Sequence, residues 1–265
     1  MKRPCVLVFA GSDPSGGAGI QADIAAIAAQ GAHPLSVITV LTAQDNDRVY
    51  AAQPLAVDLL RQQVQPLIDK FAIAAIKIGI VGSRANAEAI AETIDLLRLR
   101  QPDLPVVLDT VLASGHGDAL GADDAVAVLA PLMALATIVT PNMPEALTLC
   151  SGDRRADTQA EALLKRGCKH VLIKGGHGSN AKVVNRWFTA DDSRSWSWPR
   201  LPGGFHGSGC TLASALAAQL ARGKSMVEAL ELAQAYCQET LAQAYSIADG
   251  QSIPNRSVAV ARGKV

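Results

Sequence analysis

The amino-acid sequence predicts an α/β fold, a three-layer αβα sandwich around a mostly parallel sheet. Short β-branched runs alternate with longer Ala/Leu-rich stretches of helical character. The runs are almost continuously apolar, as strands covered on both faces should be. Polar residues able to handle phosphate cluster just past the runs, where open parallel sheets gather their ligands.

Taken in order, the expected strands are residues 5–10, 36–41, 74–78, 106–109, 137–140 and 170–174. Met1-Lys2-Arg3 ahead of the first run faintly mimics a signal peptide, but the run is short and meets Ser12-Asp13-Pro14 at once, so it reads as a buried strand. Between strands lie expected helices at 18–30, 57–71, 85–98, 123–133, 144–149 and 160–166, which makes right-handed βαβ units. Residues 187–188 and 195–198, separated by Asp191-Asp192-Ser193, read as an edge hairpin. Helices at 209–222 and 226–245 follow. Beyond Asp249 the pattern turns polar and aperiodic, so residues 250–265 are expected to form a loose tail. With no linker or repeat, residues 1–265 are read as one domain.

Composition narrows the function. The 265 residues carry 24 basic and 24 acidic groups, so no net field favours nucleic acid or anionic membrane. No apolar stretch reaches the ~18 residues of a membrane helix. Five scattered cysteines without a C-x-x-C pair argue against a disulfide framework or structural zinc and suit a reducing cytoplasm.

The chemistry centres on Phe205-His206-Gly207-Ser208-Gly209-Cys210-Thr211. Glycines and a serine ahead of an Ala/Leu-rich segment make a helix start whose free amides and dipole attract an anion. Cys210 falls in its first turn, where that field should lower the thiol pKa. A buried small cysteine behind a glycine-rich helix start is the structural alternative. The first loop, residues 10–23, packs four glycines and two aspartates between strand and helix. Its Gly17-Ala18-Gly19-Ile20-Gln21-Ala22 matches the G-x-G-x-x-A dinucleotide pattern and keeps an oxidoreductase in play, although Gly11–Gly16 intervene after the strand. A P-loop sequence is absent. Gln44 offers both a donor and an acceptor to a heteroaromatic edge. Asp109 and the segment Thr140-Pro141-Asn142-Met143-Pro144-Glu145-Ala146 put hard oxygens at adjacent strand ends, as a magnesium–phosphate site requires. Asn142 and Glu145 also suit a helix cap. Lys174-Gly175-Gly176-His177 adds a cation, and residues 113–118 read as a lid.

Together, G-S-D-P-S-G-G-A-G-I-Q-A-D, T-P-N-M-P-E-A, K-G-G-H and H-G-S-G-C-T-L resemble the hydroxymethylpyrimidine/phosphomethylpyrimidine kinases, within the ribokinase-like superfamily. The resemblance implies transfer of the γ-phosphoryl of ATP, with Mg²⁺, to a hydroxymethylpyrimidine and then to its monophosphate, in thiamine biosynthesis. It implies Cys210 as catalytic base, Gly207, Ser208 and Gly209 as the anion hole, and Gln44 as ring reader, with Gly11, Asp23, Ile80 and Val111 around the ring. Lys174, His206 and Asn142 would face the nucleotide, and Glu145 and Asp109 the magnesium. A cytoplasmic homodimer is expected, without nucleic-acid or membrane partners. Pyridoxal kinase is the alternative within the superfamily, because pyridoxal also bears a hydroxymethyl group on a heteroaromatic ring. Ile80-Val81, Gly115-His116, Asn185 and Phe205 depart from the common family pattern.

Overall fold

Alternate side chains of the first strand, β1 (Cys5–Ser12), enter two different cores: Leu7 and Phe9 on one side of the sheet, Val6, Val8 and Ala10 on the other. None of the five is more than 1% exposed, and that double burial is why the run is continuously apolar rather than alternating. The computed structural model describes residues 2–113, 117–118, 120, 123–150, 154–178 and 180–258.

After β1 the chain runs through α1 (Gly19–Ala29), β2 (His33–Gln44), β3 (Val49–Pro54), α2 (Val57–Lys70), β4 (Ile73–Ile78) and α3 (Arg84–Arg98). It continues with β5 (Val106–Leu108), α4 (Ala125–Met133), β6 (Ile138–Val139), α5 (Met143–Leu149), α6 (Ala156–Leu164) and β7 (His170–Ile173). The hairpin β8 (Lys182–Phe188) and β9 (Ser193–Pro199) leads to α7 (Ser208–Ala221) and α8 (Met226–Ala242). Among the described residues the strands form one sheet in the order β3-β2-β1-β4-β5-β6-β7-β8-β9. The six strands from β2 to β7 in that order pair in parallel, and β3, β8 and β9 add antiparallel edges.

Helices α2 to α6 cover one face, and α1, α7 and α8 cover the other. Each fully buried Leu, Ile or Phe contributes about 1.5–3 kcal/mol, so these two cores dominate stability. Residues Thr211 to Gln219 of α7 are all buried, because the helix is enclosed by the sheet, α1 and α8. Its polar side chains find partners there: Ser214 donates to Asp23 at 2.7 Å and Gln219 to Gln30 at 2.7 Å. Both partners lie on or next to α1, which fixes the rotation and depth of α7 against it.

Two expectations are corrected. The strand β3 was not anticipated, because an edge strand pairs on one side only and its Val-Tyr-Ala-Ala-Gln-Pro run is partly exposed throughout. The stretch from 250 is no loose tail as far as residue 258. Ser252 and Ile253 bridge to Phe205 and Tyr245, the Asn255 amide donates to Thr240 O at 3.0 Å, and Ile253 and Arg256 are buried. Residues 259–265 lie outside the described residues.

Candidate active site

The parallel strands all end at one edge of the sheet, and a cleft of about 570 Å³ opens along their carboxyl ends. The starts of α7, α1 and α5 border it, and the first two meet at one residue. The first, α7, is capped by Gly207 in the left-handed region (φ 78°), where a Cβ would fall 2.0 Å from Gly17 O. Only glycine fits. The Thr211 amide makes the first intrahelical bond, to Gly207 O at 3.0 Å, so the amides of Ser208, Gly209 and Cys210 precede the ladder. Helix α1 begins at Gly19, also left-handed, whose amide bonds to the Cys210 sulfur. Two positive dipole ends therefore meet at this cysteine.

Cys210 is half-buried in the cleft wall. Burial pushes its thiol up to about 11, against the pull of the Lys77 charge and the Gly19 amide. The expected lowering by the helix field is thus corrected: removal from water outweighs that field, and the Asp23 and Asp109 carboxylates act in the same direction as burial.

Beneath Cys210 lies a fully buried ion pair. Lys77 Nζ sits 2.8 Å from Asp23 Oδ2, both side chains being 0% exposed, and Ser214 donates to Oδ1. Burial disfavours the ammonium, but the Asp23 charge raises its pKa overall. Asp23, expected near the ring, lies below the floor, with both its oxygens engaged, and does not itself line the cleft. Lys77 reaches the floor instead. Its sequence signal was a lysine in the middle of an otherwise apolar buried strand.

At the ends of β5, β6 and β7 the chain brings Asp109, Glu145 and Lys174 together. Lys174 Nζ is 2.8 Å from Asp109 Oδ1, which also accepts from Thr140 at 3.0 Å. Burial would raise Asp109, but Lys174 and Lys77 hold it below the ordinary carboxylate value. Glu145 is pushed up to about 7, chiefly by burial and also by Asp109. Asn142 and Glu145 form a reciprocal capping box on α5, each side chain accepting from the other's amide at 2.8 Å. Both still face the cleft. Thr110 donates to the same Glu145 oxygen at 3.3 Å. Among the described residues, Asp109 Oδ2 and Glu145 Oε1 therefore keep no hydrogen-bond partner. These hard oxygens suit a magnesium ion that takes its remaining ligands from phosphate and water.

His206 and the first loop meet across 193 positions of sequence. His206 Nε2 donates to Asp13 Oδ2 at 2.9 Å. Asp13 also accepts from Ser15 Oγ at 2.7 Å and the Ala18 amide at 2.6 Å. Burial would raise Asp13, but these bonds hold its carboxyl down to about 2. Nothing in the sequence around Asp13 signals a partner so distant.

At the other end of the cleft, Gln44 is half-buried, and its side-chain amide makes no hydrogen bond to any described residue. Gly11, Ile80 and Val111 form walls nearby: a Cβ on Gly11 would stand 3.6 Å from Ile80 Cδ1. Of the expected lid, Gly115 and His116 lie outside the described residues. Arg48 pairs with Asp118 at 2.6 Å beside this end. Among the expected site residues, all except Asp23 line the same cleft.

A family model for phosphomethylpyrimidine kinase matches residues 13–255. The chain belongs to the phosphomethylpyrimidine kinase family. Its relatives include the hydroxymethylpyrimidine/phosphomethylpyrimidine kinases of Salmonella typhimurium, 37% identical over 96% of both chains, and of Streptomyces coelicolor, 39% identical over 93% of this chain and 92% of that one. Among solved structures it resembles an ADP complex of Bacillus subtilis pyridoxal kinase, with TM-score 0.86 and 26% identity over 97% of this chain and 98% of that one. It also resembles a phosphomethylpyrimidine kinase from Clostridium difficile, with TM-score 0.75 and 32% identity over 90% and 99%. This member of the family is a kinase with the ribokinase-like fold, and the oxidoreductase alternative falls away. No helix among the described residues is long and apolar enough to cross a membrane.

Proposed function

We propose that the protein transfers the γ-phosphoryl of ATP to the hydroxymethyl group of 4-amino-5-hydroxymethyl-2-methylpyrimidine, and then to the resulting monophosphate, as a step of thiamine biosynthesis. The observation that carries this reading is the lining of one cleft: it holds an unengaged amide at Gln44 and an anion-binding helix start that carries Cys210 in its first turn.

In this reading Gln44 accepts from the exocyclic amine of the pyrimidine and donates to a ring nitrogen, while Gly11, Ile80 and Val111 pack on the ring. The amides of Gly207, Ser208, Gly209 and Cys210 face the oxygens of the transferred group, where charge is spread in the transition state. Lys174 and His206 line the phosphate chain with Asn142 beside them. Asp109 and Glu145 hold the magnesium, which when bound shields phosphate charge. Cys210 takes the proton of the attacking hydroxyl. In-line transfer needs no enzyme intermediate, so the thiol is a base rather than a covalent nucleophile.

The whole chain acts as one catalytic domain in this proposal, as a cytoplasmic homodimer. The five cysteines are free, which suits a reducing compartment. The exposed Tyr50 and Leu41 on the β2–β3 edge are apolar surface that a second copy would cover.

Pyridoxal is a second substrate reading, favoured by the closer shape match to the Bacillus subtilis pyridoxal kinase than to the Clostridium difficile enzyme. The deciding experiment is a panel of the hydroxymethylpyrimidine, its monophosphate and pyridoxal with Mg-ATP, followed by ADP release. Turnover of the two pyrimidines well above pyridoxal is expected. Turnover of pyridoxal alone would replace the proposal, and no turnover with any ring would sink it.

A further inference from the structure

We propose that Arg256 is a positioning residue for the anion hole, holding the carbonyls from which both helix starts are turned into the cleft. The residue is buried, 6% exposed, and lies far along the chain from the loops it touches. Nε donates to Thr211 Oγ1 at 2.9 Å, and one terminal nitrogen donates to Gly17 O and, at 3.4 Å, to Gly207 O. Its own carbonyl accepts from the Tyr236 hydroxyl at 2.8 Å, which ties the residue to α8.

The consequence follows from peptide geometry. In a trans peptide the C=O and the next N–H point in opposite directions. Drawing Gly207 O toward Arg256 therefore aims the Ser208 amide away from it. Drawing Gly17 O the same way aims the Ala18 amide, which donates to Asp13 Oδ2 at 2.6 Å. Asp13 in turn receives His206. One guanidinium thus ties the α7 cap and the first loop together, with one terminal nitrogen on both carbonyls and Nε on Thr211, an arrangement that a lysine's single nitrogen reproduces only in part.

Charge adds to the geometry. Among the described residues no carboxylate forms an ion pair with Arg256. A buried cation lying behind Gly207, with no carboxylate in ion-pair contact among the described residues and only the more distant Asp23 opposing it, strengthens the positive field at a helix start that already attracts anions.

This inference rests on the phosphoryl-transfer reading above, and its test separates the two. Arg256→Met keeps the stem without the charge, and Arg256→Lys keeps the charge without the fork. Steady-state kinetics with the hydroxymethylpyrimidine would be read beside ADP binding, followed by the fluorescence of Trp198 in the cleft wall. Misplaced reacting groups cost up to about 10²-fold, so kcat should fall roughly 30- to 100-fold in R256M and about 10-fold in R256K. The ring KM should stay within about threefold, because Gln44 is untouched, while ADP binding weakens about tenfold in R256M. A lowered melting temperature with kcat and ADP binding unchanged in the folded protein would overturn the proposal. If R256M does not fold, R256K and Thr211→Val, which removes one partner of the fork, decide by the same readings. A wild type that turns over no ring substrate sinks the reaction reading alone, and the ADP-binding comparison still tests Arg256.

Discussion

Replacing Cys210 by serine preserves nearly all the volume and the amide nest but removes the only thiol facing both helix starts. With the thiol at about 11, only about one molecule in 10³ is ionised at pH 8, and ionisation there costs about 4 kcal/mol. General-base catalysis is worth about 10²–10⁴-fold, or roughly 3–5 kcal/mol, so that cost consumes most of the benefit at neutral pH. The wild-type log kcat should therefore climb with a slope near one from about pH 7 to 9, instead of levelling near the ~8.5 of an ordinary cysteine. ADP release at saturating substrates, in buffers of constant ionic strength, measures it. Cys210→Ser should lose about 10²–10⁴ in kcat at high pH and lose the slope as well, with residual rate from the anion hole. A plateau near 8.5 would mean that burial does not govern the thiol. A flat profile together with near-normal kcat in the serine variant would make Cys210 packing only. The base would then be the substrate itself, since Asp23 is committed to Lys77 and Ser214.

Gln44→Ala should raise the pyrimidine KM by about 1–3 kcal/mol while leaving ATP affinity intact; equal weakening of both substrates would make Gln44 structural. Glu145, at about 7, holds its proton below that pH, and a divalent cation must displace it. Apparent Mg²⁺ affinity should therefore fall as pH drops through 7, and Glu145→Gln should bind the ion weakly at every pH; an unchanged magnesium titration removes Glu145 from the metal site. Lys77→Met strands the Asp23 carboxylate in the core and should cost about 3–5 kcal/mol in urea unfolding, partly recovered by adding Asp23→Leu. A loss under about 1 kcal/mol would show that the pair is not ionised as described.

Apolar continuity made the central strands legible, because burial on both faces leaves no room for polar alternation. The strand ends were legible for the same reason, and with them Asp109, Asn142, Glu145 and Lys174. What escaped was pairing across long sequence separations. Nothing near Asp13 announces His206, and nothing near Arg256 announces Gly17, because each bond depends on where the fold returns the chain. The expected lowering of the Cys210 thiol is reversed by magnitude rather than by the sign of the helix field. That field follows from the sequence, but the burial that opposes it depends on how α7 packs against the sheet, α1 and α8. Likewise β3 was hidden because an edge strand has only one neighbour to please.

The clamp between Arg256 and Gly17 spans 239 positions, and this bears on how the protein is made. A ribosome delivers the chain from its N-terminus, and domains assemble in that direction. Every strand, and every helix through α8, has emerged before residue 256 does. A nascent chain can thus bury most of both cores, all but Val258 at their edge, while the loop that would receive phosphate is still unfastened. The fastening of that loop therefore depends on a residue made after every strand and helix that supports it.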